Sequence, residues 1–201
     1  EGQTIYFPEI KSTATDAASG THYAKPEKEL TLTDLVEYKN LIPGKEYKLT
    51  GTLMDAETEK PFDVDGKAVT AETSFTPEEA NGSVELSFTF DASALSGKTL
   101  VALETRTFED HEVAVHADIK DANQTIYFPE IKTTAKDGSD GDQDVSASKL
   151  ATFVDTVTYH GLMPGSEYKV IGTLMNKETG EALLKDGKPV TAQAEFKAEK
   201  A

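Results

Sequence analysis

The chain repeats itself at a distance of 121 residues, and this period constrains its fold more than any other feature. QTIYFPEI stands at 3–10 and again at 124–131. Gln3 matches Gln124, Asp34 matches Asp155, Gly44 matches Gly165, Met54 matches Met175 and Phe75 matches Phe196. The register does not slip, even across the dissimilar stretches 17–33 and 138–154. A period far above the roughly 20–50 residues of a solenoid unit means serial whole domains. Residues 1–10 then read as the tail of a preceding repeat, 11–131 as one complete repeat, and 132–201 as the N-terminal part of a second, truncated repeat.

Within the complete repeat the hydrophobic pattern has a period of two. Tyr47, Leu49, Gly51 and Leu53 alternate with Lys48, Thr50 and Thr52, and Val84, Leu86, Phe88 and Phe90 alternate with Glu85, Ser87 and Thr89. That is the pattern of strands with one buried face. Pro43-Gly44, Asp65-Gly66, Asn81-Gly82 and Ser96-Gly97 supply turns between them. Short strands and frequent turns over about 120 residues predict an all-β, two-sheet antiparallel sandwich, with one short helical turn at most, near Pro77–Ala80.

Composition narrows the function. Acidic residues number 36 against 20 basic ones, for a net charge of -16, which repels phosphate backbones and anionic lipid. Nucleic acid is therefore not an expected partner. No run approaches the roughly 20 apolar residues of a bilayer span, so no membrane insertion is expected in this segment. The absence of cysteine removes disulfides, thiolate metal sites and thiol catalysis.

Two places carry chemistry. The repeats open with IKSTATD at 10–16 and IKTTAKD at 131–137, where only Thr13 and Thr134 are threonine in both, and threonine also simply favours strands. Near the end of the repeat His116, Asp118, Asp121 and Gln124 follow at gaps of 2, 3 and 3. A histidine can take a hydroxyl proton near neutral pH, carboxylates can orient it or hold a shared proton, and glutamine offers an amide carbon. A solvated acidic strand end has the same spacing. Strict alternation also puts His116 opposite the face of Val113 and Val115, so burying it requires a bulge or a strand covered on both sides.

HADIKDANQT at 116–125, LVALETRTFE at 100–109, TDLVEY at 33–38 and NLIPGKEYKLTGTLMD at 40–55 resemble the Thr-Gln ester-bond (VaFE-type) repeat domains of Gram-positive surface adhesins. Leu103 stands where that family's name has Phe. The resemblance implies an Ig-like (CnaB-like) sandwich in tandem repeats, and an ester formed between a first-strand Thr and a last-strand Gln with release of ammonia and no cofactor. It implies Thr13 as nucleophile and Gln124 as acyl donor, with His116 accepting the proton. Asp34 and Glu104 become the acidic pair beside the amide, at least one of them protonated by burial, and Asp121 an orienter of His116. Thr134 and Gln3 are cross-link candidates without partners in the sequence. The chemistry is half of a serine-protease cycle whose acyl product is kept, so water must be excluded.

On this reading the segment is a self-cross-linked structural stalk module of a bacterial adhesin, not a turnover enzyme, on the cell-wall-anchored surface of a Gram-positive bacterium. Its expected partners are adjacent repeats of the same polypeptide, and a host receptor only through other parts of the parent protein; as a segment it is expected to be a monomer. Two alternatives remain: a plain Ig-like binding module, or a Lys-Asn isopeptide using Lys11 and Asn123. DGSDGDQD at 137–144 has acidic residues at alternate positions but lacks the Gly and terminal Glu of a calcium loop. His22, His111 and His160 have no metal-ligand spacing and read as loop residues, so no metal is expected.

Overall fold

The computed structural model describes residues 7–108, 111–145 and 150–200. They form two compact units, one ending at Pro129 and one beginning at Glu130. In the first unit β1 (Glu9–Asp16), β2 (Leu30–Lys39), β3 (Tyr47–Asp55), β4 (Lys60–Pro61), β5 (Asp63–Val64), β6 (Lys67–Ala68), β7 (Thr70–Phe75), β8 (Gly82–Phe90), β9 (Thr99–Phe108), β10 (His111–His116) and β11 (Thr125–Tyr127) follow in order. One sheet runs β1-β2-β8, and the other β10-β9-β3-β4, with β7 also on β3 and β11 also on β9. All these pairings are antiparallel. β5 and β6 form a separate small hairpin.

The core lies between the sheets. Leu32, Val36 and Phe88 of one sheet and Leu49, Leu53, Leu100 and Ile126 of the other are all nearly or fully buried. The alternation in the sequence is the cause: β3 buries Tyr47, Leu49, Gly51 and Leu53, and β8 buries Leu86, Phe88 and Phe90. Gly51 is needed because a Cβ there would lie 2.5 Å from both Leu86 Cδ2 and Phe88 Cζ. Asp65 and Gly66 both have positive φ and form the expected tight hairpin turn between β5 and β6. Asn81-Gly82 is not such a turn. Gly82 begins β8, and a Cβ there would lie 2.5 Å from the Tyr38 hydroxyl. Pro77–Ala80 contains bends and no helix. The helical element among the described residues is instead a 3-10 turn, Ala122–Gln124, between β10 and β11.

The second unit contains β12 (Glu130–Asp137), β13 (Phe153–His160), β14 (Glu167–Thr173), β15 (Leu184–Lys185), β16 (Lys188–Pro189) and β17 (Thr191–Lys197). They pair as β12-β13, β14-β17 and β15-β16. Among its described residues there is no counterpart of β8 to β11, and the positions those strands would cover lie open. Ile10 is 9% exposed and its counterpart Ile131 is 55%; Leu32 is 1% exposed and Phe153 is 45%. His111 and His160 stand on β10 and β13, correcting their reading as loop residues.

Candidate functional site

β1 places its even-numbered residues inward: Ile10, Ser12, Ala14 and Asp16 are buried, while Lys11 and Thr13 are exposed. Thr13 is therefore not the hydroxyl that meets Gln124. Ser12 is. The correction follows from strand parity: neighbouring residues face opposite sides of the sheet, and the apolar Ile10 and Ala14 fix which side is inward.

Ser12 comes from the first strand and Gln124 from the 3-10 turn after β10, 112 positions apart, and the Gln124 amide nitrogen donates to Ser12 Oγ. Ser12 Oγ in turn donates to Glu104 Oε2 at 2.7 Å. The same oxygen accepts from Gln124 Nε2 at 3.1 Å. Hydroxyl, carboxamide and carboxylate thus converge in one place. Ser12 is 6% exposed, Glu104 1% and Gln124 0%. Three elements set this geometry. β1 delivers Ser12, β9 delivers Glu104 opposite Gly51 of β3, and the 3-10 turn turns Gln124 inward. Asp121 caps that turn by accepting from the Asn123 N–H at 2.8 Å, and its carbonyl oxygen accepts from Thr125 Oγ1 at 2.7 Å.

Asp34 stands on β2 opposite Ala14 and is 0% exposed. Burial is the first cause that pushes its carboxyl up to about 9, followed by the charge of the neighbouring Glu104, and among the described residues neither of its carboxyl oxygens has a hydrogen-bond partner. Asp34 is therefore a neutral acid at pH 7, held against a second carboxyl group. Two carboxyls in a dry site share a proton because they cannot both ionise cheaply.

The backbone of His116 pairs with Glu104, and the register of β10 shifts between Glu112 and Ala114. A shift of this kind is one of the two arrangements, beside a strand covered on both sides, that burying His116 requires. The side chain of His116 lies outside the described residues, as does Gln3. Lys11 and Asn123 are both exposed, one on the outer face of β1 and one at the tip of the 3-10 turn. In the second unit Thr134 pairs with Thr156 and is exposed. The repeat register makes Thr133, not Thr134, the counterpart of Ser12, and Asp155, the counterpart of Asp34, is exposed. In the 137–144 loop the side chains of Asp137, Asp140 and Asp142 accept from the backbone amides of Ser139, Asp142 and Asp144. No group of three metal-ligating side chains occurs among the described residues. Nor is any helix there long and apolar enough to cross a membrane.

No curated protein matches the chain. Among solved structures it is similar to two crystal forms of a bacterial adhesin from Mobiluncus mulieris containing intramolecular disulfide, isopeptide, and ester bond cross-links. Each is 14% identical with a TM-score of 0.53, and the match covers 96% of this chain with 94% of one and 99% of the other. At that identity the likeness supports the antiparallel β fold alone. The sequence also matches the T-Q ester bond containing domain over residues 8–128, and again over 129–201. Those two matches take in nearly the whole chain, which therefore belongs to the family of T-Q ester bond containing domains.

Proposed function

We propose that residues 9–128 form a structural module that cross-links itself once, through an ester between Ser12 and Gln124. The observation that carries this reading is the buried contact between the Ser12 hydroxyl and the Gln124 carboxamide, with Glu104 accepting from both. Ser12 Oγ attacks the Gln124 amide carbon and gives its proton to Glu104, the carboxylate it already touches. The neutral Asp34 acid stabilises the oxyanion of the tetrahedral intermediate, and ammonia leaves with the transferred proton. One C–O bond replaces one C–N bond, so the balance needs no cofactor. His116, whose backbone is in register with Glu104, is the second candidate for receiving the proton. The family name specifies threonine, and the first repeat departs from it by using a primary hydroxyl, whereas Thr133 retains threonine in the second.

The product is kept because Ser12, Glu104 and Gln124 are buried away from water. The reading is a stalk module of a bacterial surface adhesin, in which first and last strands are tied so that pulling does not unravel the sandwich. It is supported by the family, by the adhesin fold of the similar structures and by the repeat itself. Intact mass is the test. The folded chain is expected to weigh one ammonia less than its sequence, and Ser12→Ala or Gln124→Ala to restore the full mass. Thr13→Ala is expected to leave the loss in place. A full-mass wild-type chain ends this reading, and retention of the loss in Ser12→Ala moves the bond elsewhere.

A further inference from the structure

The cross-link proposed above divides the first repeat into a closed covalent loop, 13–123, and two short stretches outside it. Upstream of Ser12 only Glu9–Lys11 of β1 lie outside. Downstream of Gln124 the stretch is β11 with Phe128, after which Glu130 begins the next unit. Any tension along the chain must pass through these stretches and the ester itself.

The downstream stretch is also the seal next to the acyl carbon. Thr125 is 7% exposed, Ile126 0%, Tyr127 6% and Phe128 0%. It is held on both edges: β11 pairs with β9, while the Tyr127 N–H donates to the His22 carbonyl and the Ala24 N–H to the Tyr127 carbonyl. Phe128 closes the end, its N–H donating to Lys98 O and its carbonyl accepting from Gly97 N–H. These bonds are non-covalent and carry the full load, so they yield before any residue inside the loop is strained. Because load enters at the Phe128 end, they open from there toward Gln124.

We propose that Thr125–Phe128 is a load-bearing strap whose peeling opens the Ser12–Gln124 ester to water and other small nucleophiles, making the lifetime of the bond depend on tension. With water, the acyl carbon of residue 124 gains a hydroxyl, its bond to Ser12 Oγ breaks, and Ser12 takes the proton; the products are a carboxylic acid and a free serine. With hydroxylamine the acyl carbon gains nitrogen instead, leaving a hydroxamate and the same free serine. The inference rests on the ester reading and adds to it that the bond is protected by the strap rather than by its own chemistry.

The chain has no cysteine, so Glu9→Cys with Glu130→Cys gives two unique handles on the full chain for force-clamp measurement. Peeling frees about nine residues, an extension of at most roughly 30 Å, whereas cleavage of the ester releases the loop and adds roughly 400 Å. Above the force of the small step, the rate of the large step is expected to rise in proportion to hydroxylamine concentration; below it, no dependence is expected. A large step independent of hydroxylamine at every force overturns the proposal. Without load, Phe128→Ala is expected to speed hydroxamate formation by at least roughly 100-fold, the change in opening equilibrium for losing a fully buried ring. Equal rates for Phe128→Ala and wild type, both starting one ammonia light, also overturn it. Failure of the ester reading looks different: a chain of full mass that extends by roughly 400 Å in one event with no short step before it.

Discussion

The Asp34 carboxyl is an acid kept neutral by its surroundings, and that state has a measurable signature before the ester forms. Its folded value of about 9 lies above the ordinary aspartate value of 3.8, so between those limits the folded chain holds a proton that the unfolded chain releases. The contribution of Asp34 to stability is therefore fully present below about pH 4 and is lost as pH rises toward 9. In the Ser12→Ala background, where no ester masks the effect, stability from urea titrations is expected to fall between pH 7.5 and 9 by up to about 1.4 kcal/mol per pH unit. Adding Asp34→Asn is expected to flatten that slope, since asparagine has no proton to lose. In the wild-type sequence cross-linking is expected to slow above pH 9, followed by mass after refolding at each pH. Of the residues at this site, Asp34, Glu104 and Gln124 were legible in the sequence through their motifs. Glu104 as the acceptor of the Ser12 proton was not, because a hydrogen bond across 92 positions leaves no local pattern.

At the scale of the strand, one position decides which hydroxyl meets Gln124. In β1 the polar residues Lys11, Thr13 and Thr15 alternate with Ile10, Ser12, Ala14 and Asp16, and the inward set is the one with the apolar members. The parity was available in the sequence. Attention to the threonine shared by both repeats pointed to the outward set, and a shift of one residue turns every side chain to the other face. The 3-10 turn was less legible, since three residues have no periodicity and Asp121 acts through its cap. Pro77–Ala80 and Asn81-Gly82 carried stronger local signals for a helical turn and a turn between strands, but the Pro77 and Ala80 carbonyls accept from the Gly44 and Leu41 N–H groups and Gly82 begins β8 close against Tyr38. Gly51 tests the strand argument from the opposite sheet. Gly51→Ala is expected to cost about 1–3 kcal/mol in the Ser12→Ala background, because the new methyl must displace Leu86 and Phe88 in a packed core. Read as a lower urea midpoint with an unchanged slope, this isolates packing from cross-linking. An unchanged midpoint would mean that the two sheets are looser at this point than the burial of Phe88 implies.

Across the whole chain, the two repeats form an internal comparison, because the same motifs stand in a closed sandwich and in an open one. Asp34 is fully buried where β8 to β11 complete the core, and Asp155 is exposed where the described residues include no such strands. Burial, and with it the neutral carboxyl, is thus a property of the assembled sandwich and not of the motif. The period of 121 residues made the repeats legible, but their unequal burial depends on strands distant in sequence. Thermal unfolding is accordingly expected in two separate transitions. The first repeat, where the proposed ester closes a loop of about 112 residues, is expected to gain roughly 4–5 kcal/mol over Ser12→Ala by the chain-entropy estimate, or on the order of 15 °C in its midpoint. The second transition is expected at the same temperature in both proteins, since the substitution lies in the first unit. Calorimetry with limited proteolysis checks both points, with cuts expected first in 130–200. If Ser12→Ala moved both transitions by the same amount, the stabilisation would have to spread beyond the covalent loop, and an ester confined to residues 12 and 124 would not account for it.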